Sequence, residues 1–353
     1  MKIENLILAR KYLGLNQKKF AELLNISQAT VSQIEAGFKP ISQEMVDALA
    51  PSLGEKFFYQ KPSNPNLKVH YRVSSTIAKG ILNSFEARIE LTSNNINTLL
   101  ETVDIPEFKI PQLDPEDYEM DAKYIANEIR SYLGLGRKPV GNLIELLEKQ
   151  GVIVHFYDFD FISEQNKTLD GVSFFMNGVP IILINNKIQN ARKYFTIAHE
   201  LGHIIMHLPE RFIIAKQRDI EKEANAFASE FLIPADAIRE DLTNINPDKL
   251  LMLKHKWRIS AAAILYSAKD LTLSKDQYRR WVQKISMMGW RKNEPMDIEI
   301  EKPFLLKTML DVCKNEMGGK EGLTNELGIN KVLFDELYGV YYEEIKSKMR
   351  ILI

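Results

Sequence analysis

His199-Glu200-Leu201-Gly202-His203 constrains this chain more than any other stretch, because it sets two imidazoles one helical turn apart with a carboxylate between them. On an α-helix, residues four apart lie on one face, so His199 and His203 can offer nitrogens to one tetrahedral ion while Glu200 lies beside its open position. The flanking residues read as the helix this requires. Ile197, Leu201, Ile204, Ile205 and Leu208 form an apolar stripe, Thr196, His199, Glu200, His203 and His207 share the opposite face, and Pro209 ends the run. An ordinary buried helix with hydrogen-bonded histidines carries the same five residues often enough that the surroundings must decide.

Catalytic zinc wants three protein ligands and a water, so a third donor has to come from another element. A second helical pattern follows at 219–232, with Glu221, Ala224, Asn225, Ala228 and Leu232 on one face, and small Ala224 and Ala228 let two helices approach closely. Glu221 is the expected third ligand, and Asn225, one turn on, is placed to hold a ligand imidazole by its far nitrogen. Glu223 is the competitor, reading as solvated unless the helix start shifts. His207 stands eight residues after His199, about 12 Å along the axis, which excludes both from one ion and leaves His207 a cleft-lining or supporting role. Neither His155, in the β-rich run 152–157, nor Tyr266 is given a role.

Residues 192–203, then 221–228 and Phe231-Leu232-Ile233-Pro234, resemble the ImmA/IrrE metallopeptidases. The resemblance spans roughly residues 116–285. It implies a zincin-type fold, zinc on His199, His203 and Glu221, and endopeptidase action on a repressor protein. Chemically, zinc lowers the pKa of its bound water toward neutrality, and Glu200 accepts the proton and returns it to the leaving amine. The same ligands admit other divalent ions.

Ahead of that helix a hairpin is readable: 171–176, a turn at Asn177-Gly178, then 179–185, with Pro180 favouring an edge strand that could pair with an extended substrate. Near the other end, residues 17–37 predict two short helices meeting at a turn. Phe20, Ala21, Leu23 and Leu24 supply the core face of the first, Ser27 caps the second, Val31 and Ile34 anchor it, and Gly37 ends it. Gln28, Thr30, Ser32 and Gln33 on its exposed face can hydrogen-bond base edges in a major groove, and Gln17 is placed to meet a phosphate.

This stretch resembles the XRE, or lambda-repressor-like, helix-turn-helix domains over roughly residues 1–60. The resemblance implies a five-helix module on a double-stranded DNA operator, with Gln28, Ala29 and Gln33 at base-reading positions and Gln17 at a backbone-contacting one. Residues 1–40 carry six Lys or Arg against three Glu, so DNA binding by so modest a charge calls for a homodimer.

A formal net charge of −1 confines any nucleic-acid contact to a local patch, and 45% hydrophobic with 26% charged residues is globular composition, not disorder. The one cysteine, Cys313, has no internal disulfide partner; with no signal-like start and no membrane-spanning run, a cytoplasmic protein is expected. The fold class expected is α+β and mostly helical. It comprises an N-terminal helix-turn-helix domain over 1–60, a helical connector over 61–115, a zincin-like domain with a small sheet over 116–285, and a helical subdomain over 286–353. Lys61-Pro62-Ser63-Asn64-Pro65-Asn66 reads as a linker, followed by an extended stretch at 69–73 and a helix to about Leu100. No internal repeat is evident, although 323–329 hints at a second helix-turn-helix. Function then divides between a DNA-binding regulator whose zinc endopeptidase cleaves a repressor, an antitoxin or itself, and a non-proteolytic repressor whose zincin module is a ligand sensor or structural zinc site, with a toxin–antitoxin operon regulator as a variant.

Overall fold

The structure, a computed structural model, describes residues 1–60, 79–159, 169–291 and 293–342. The linker and extended stretch expected at 61–73 lie outside the described residues. The chain forms two compact units, and the second is inserted in the sequence of the first: described residues 1–60, 79–105 and 305–342 form one, and 106–304 the other.

In the first unit, α1 (Ile3–Tyr12), α2 (Gln17–Leu23), α3 (Gln28–Glu35) and α4 (Gln43–Leu53) precede the long α5 (Lys79–Leu100). Side chains set the helix starts: Asn16, Ser27 and Ser42 accept from the backbone N–H three residues on, satisfying groups that have no partner inside the helix. Between α2 and α3, Asn25 turns left-handed at φ 52° and the Ile26 N–H returns to the Ala21 carbonyl at 3.0 Å, a closure that redirects the chain within four residues. Leu6, Phe20, Val31, Ile34, Val46 and Leu49 make the core, while Leu23, expected inside, is 47% exposed. It lies beyond the edge of the face set by Phe20 and Leu24.

The second unit contains α6 (Ala122–Tyr132), α7 (Leu143–Glu148), β1 (Ile153–Tyr157), β2 (Gly171–Met176), β3 (Val179–Asn185), α8 (Asn190–Met206), α9 (Ile220–Leu232), α10 (Ala235–Ile238), α11 (Pro247–Trp257), α12 (Ala261–Leu271) and α13 (Lys275–Met287). The hairpin forms as read, with Asn177 at φ 50° and Gly178 at φ 83°, but the strand order is β1-β3-β2. Strand β3 is therefore central, parallel to β1 and antiparallel to β2, and the edge expectation for Pro180 is corrected. Pro180 is tolerated because the β1 ladder starts one residue later, at Ile153↔Ile181, so its missing N–H interrupts nothing on that side. Helix α8 packs on β2 and β3, α9 packs on α8, and α6 on α9. Arg130 of α6 is 1% exposed yet donates to the carbonyls of Gly136, Phe231 and Lys138, which ties the start of that layer to its end.

Helices α14 (Leu305–Glu316), α15 (Lys320–Glu326) and α16 (Lys331–Tyr338) return to the first unit instead of forming a separate subdomain from residue 286. Asn330 ties them in: its Nδ2 donates to the carbonyls of Ala50 and Pro51, and its N–H to Leu53 at the end of α4. Buried Asn95 of α5 donates to Tyr338 Oη at 3.0 Å. These partners are more than two hundred residues apart, so no local pattern announces them.

The expectation of no repeat is also corrected. Helices α15 and α16 reproduce α2 and α3 in length, seven residues and eight. Gly328 matches Asn25 at φ 64°, the Ile329 N–H closes on Thr324 at 3.0 Å, and Asn330 caps as Ser27 does. Leu323, Leu327, Phe334 and Leu337 are buried where Phe20, Leu24, Val31 and Ile34 are. Leu24/Leu327 and Ile26/Ile329 are identical and elsewhere little more than apolar character survives between the copies, which is why the repeat is visible in backbone geometry first.

Candidate functional site

Helix α8 delivers His199, Glu200 and His203 along one face, and α9 brings Glu221 across to them. The approach is close because Gly202 has no Cβ: one built there would stand 3.1 Å from Cδ1 of Phe227 and 3.4 Å from Cα of Ala224. The Nε2 atoms of His199 and His203 are 3.1 Å apart, and the Glu221 oxygens lie 3.4 Å from each. Zinc with bonds of about 2.0–2.1 Å in a tetrahedron needs donor pairs separated by about 3.3–3.4 Å, so these three edges fit an ion of that size. A second observation agrees: Oε2 of Glu221 is buried with no hydrogen-bond partner. Among the described residues, His199, His203 and Glu221 form the one cluster of at least three such groups able to hold a metal.

Electrostatics favour the donor form at His203 and Glu221 but not at His199. Burial pushes His203 down to about 4, keeping its imidazole neutral. Burial works against ionised Glu221 too, but its two imidazole neighbours outweigh it and hold the carboxyl well below the usual range. At His199 burial is outweighed by the Glu221 and Glu200 carboxylates, and the ring binds a proton more readily than usual. Its Nδ1 is 3.1 Å from Oδ1 of Asn225, where the sequence placed that residue.

Glu200 is 5% exposed, and burial lifts its carboxyl to about 7, the range in which one group both takes and gives a proton at neutral pH. Ser173 on β2 donates to its Oε2 at 2.6 Å. Sequence reasoning missed Ser173; the available signal was a hydroxyl at a buried position of a strand beside the motif. The expectation that Glu223 is solvated is corrected: it accepts from His207 and Arg218. His155 is fully buried within β1, and Tyr266 is 53% exposed on α12.

In the first unit, Gln28, Ala29, Ser32 and Gln33 are exposed together on α3, while Thr30 is half-buried against the cap with its hydroxyl 2.9 Å from that of Ser27. Gln17 donates to Glu35 at 2.8 Å, and Arg10 holds that carboxylate from α1. On α16 the positions matching the exposed ones are Lys331, Val332, Asp335 and Glu336, with Asp335 paired to Lys320 and Glu336 to Arg88. Two carboxylates there oppose a phosphate backbone, so the second copy lacks the first one's suitability for DNA.

Residues 148–269 match the IrrE N-terminal-like domain family of M78 peptidases, and residues 6–59 match a helix-turn-helix family. The chain carries an IrrE-like peptidase domain and an XRE-type helix-turn-helix domain. Over 104 residues, 26% of this chain, it is 30% identical to the radiation response metalloprotease IrrE of Deinococcus deserti, and the match covers 37% of that protein's length. His199, Glu200, His203 and Glu221 all fall inside the peptidase-domain match. Among the described residues no helix is long and apolar enough to cross a membrane.

Proposed function

We propose that this chain is a cytoplasmic DNA-binding regulator whose peptidase domain is a zinc-dependent endopeptidase cleaving a repressor, an antitoxin or itself. One observation carries the reading: three donors from α8 and α9 converge at zinc spacing, with the buried Glu200 beside them on α8 and aligned by Ser173. His199, His203 and Glu221 hold the ion. When bound it supplies Lewis acidity for peptide hydrolysis, and another divalent ion of similar size would serve.

Glu200 takes the proton of the attacking water on its carboxylate and delivers it to the departing amine nitrogen. Ser173 keeps the carboxylate turned to that task, and Asn225 keeps Nε2 of His199 facing inward. Among the described residues β2 pairs only with β3, and an extended substrate adds to its free edge, so the role expected of β3 passes to β2. Gln28, Ala29, Ser32 and Gln33 read base edges of a double-stranded operator, Thr30 and Gln17 contacting it from the flank, and a homodimer supplies the second half-site.

Glu200→Gln tests the reading. The variant should keep metal and DNA binding while partner proteins that vanish in wild-type cells persist in the mutant. A regulator whose partner abundances and output are unchanged by Glu200→Gln is not acting as a peptidase, and the sensor or structural-zinc reading would replace this one.

A further inference from the structure

His203 faces two ways. Its Nε2 points to His199 and Glu221, and its Nδ1 lies 2.9 Å from Nδ1 of His207. On the other side of that second ring, Nε2 of His207 is 3.0 Å from Oε2 of Glu223, and Arg218 grips the same carboxylate through Nη2 at 2.7 Å and Nε at 3.2 Å. His207 is 3% exposed, and the side chains of Arg218 and Glu223 are 5% and 13% exposed, so the chain of groups is shielded from water.

We propose that His207, Glu223 and Arg218 are positioning residues that fix the tautomer of His203 and strengthen it as a metal donor. The inference rests on the metal reading above. Each proton then has one place. For Nε2 of His203 to offer its lone pair, its proton must sit on Nδ1, so Nδ1 of His207 accepts. His207 then carries its own proton on Nε2 and donates to Glu223. The opposite arrangement would set a bare ring nitrogen 3.0 Å from a carboxylate, two acceptors facing each other. Arg218 donates twice to the carboxylate and anchors the far end.

The two metal-facing imidazoles are thereby made unequal. His199 donates to a neutral amide, whereas His203 is backed through a polarisable ring by an anionic carboxylate, an arrangement that holds its proton on Nδ1 and leaves the Nε2 lone pair turned to His199 and Glu221. One turn of α8 separates His203 from His207, and α9 carries Glu223 two residues after Glu221. The same helix pair thus carries the donors, Glu223 and, at the C-cap of α8, His207, while Arg218 lies just ahead of α9.

Zinc dissociation constants, read by competition with a chromophoric chelator, test this on full-length wild type, His207→Phe, His207→Gln and Glu223→Gln, with circular dichroism reporting folding. His207→Phe keeps ring bulk but cannot accept the Nδ1 proton, and zinc binding should weaken about 10–100-fold. His207→Gln, whose carbonyl accepts and whose amide donates, should recover most of the loss, and Glu223→Gln should fall between. A folded His207→Phe within about twofold of wild type overturns the proposal. Should that variant fail to fold, Glu223→Gln decides: several-fold weakening upholds the role and unchanged affinity removes it. Wild type that binds no zinc would overturn the metal site itself, a separate result from a metal-binding wild type indifferent to His207.

Discussion

Gly202→Ala probes the contact on which the convergence of the two helices depends. The added methyl would meet Phe227 at 3.1 and 3.3 Å and Ala224 at 3.4 Å. Carbon atoms pack best about 3.5–4.0 Å apart, so α9 must retreat by roughly 0.5 Å. Phe227 cannot swing aside, being fully buried and stacked on Phe231 with centroids 5.5 Å apart at 9°. Overpacking of this kind costs about 1–3 kcal/mol, and replacing a mid-helix glycine with alanine returns about 1 kcal/mol, for a net destabilisation of about 0–2 kcal/mol. The larger effect falls on the donors. Glu221 precedes Ala224 by three residues on the displaced helix, and metal bonds tolerate only about 0.2 Å of error, so zinc affinity should fall roughly tenfold or more. Urea unfolding of the metal-free protein and chelator competition measure the two terms. A variant as stable as wild type with undiminished zinc affinity would refute the close-packing argument.

Ser173→Ala removes a hydrogen bond that favours ionised Glu200, so its carboxyl, already lifted to about 7 by burial, should rise further. Since the base acts when ionised, the acidic limb of the cleavage pH profile should move up by roughly one unit, and an unmoved limb would remove Ser173 from the mechanism. Burial opposes ionised Glu223, but His207 and Arg218 outweigh it and hold the group at about 2 against an ordinary 4.5. A depressed carboxyl stabilises the fold fully above the ordinary value and loses that contribution as pH falls toward the folded one, so wild type should lose about 1–2 kcal/mol more than Glu223→Gln between pH 5 and 3. Equal losses in urea titrations would contradict the pairing. Gln33→Ala should weaken binding to DNA selected from a random pool by about 10–100-fold, while Lys331→Glu on the repeated module should leave it within about twofold. The reverse ranking by fluorescence anisotropy would place recognition on α16.

The candidate site was legible wherever one element carried the information. The spacing of His199, Glu200 and His203 needs only a helix, and the small residues of α9 identified the face that carries Glu221 and Asn225. Ser173, the place of Glu223 and the consequence of Gly202 were not legible, because each depends on how a strand or a second helix lands on α8. The fold divides the same way. Asn177-Gly178 specified its turn and Ser27 its cap, both local acts of a side chain on its own backbone. The central position of β3 follows from parallel pairing with β1, about thirty residues earlier, and the union of α14, α15 and α16 with the N-terminal helices follows from Asn330 reaching the end of α4. Long-range pairings of this kind leave no periodic trace. The second helix-turn-helix was hinted at by 323–329 but carries charged Lys331, Asp335 and Glu336 where the first has the glutamines and serine that made it readable.

X-ray absorption at the zinc edge, on full-length protein purified from zinc-replete cells, tests the metal site most directly. The predicted spectrum is one zinc per chain with two imidazole nitrogens and a carboxylate oxygen at about 2.0–2.2 Å, and a Glu221→Ala sample that has lost the oxygen and most of its metal. Wild type without stoichiometric zinc, or Glu221→Ala with full occupancy and an unchanged shell, would contradict the assignment.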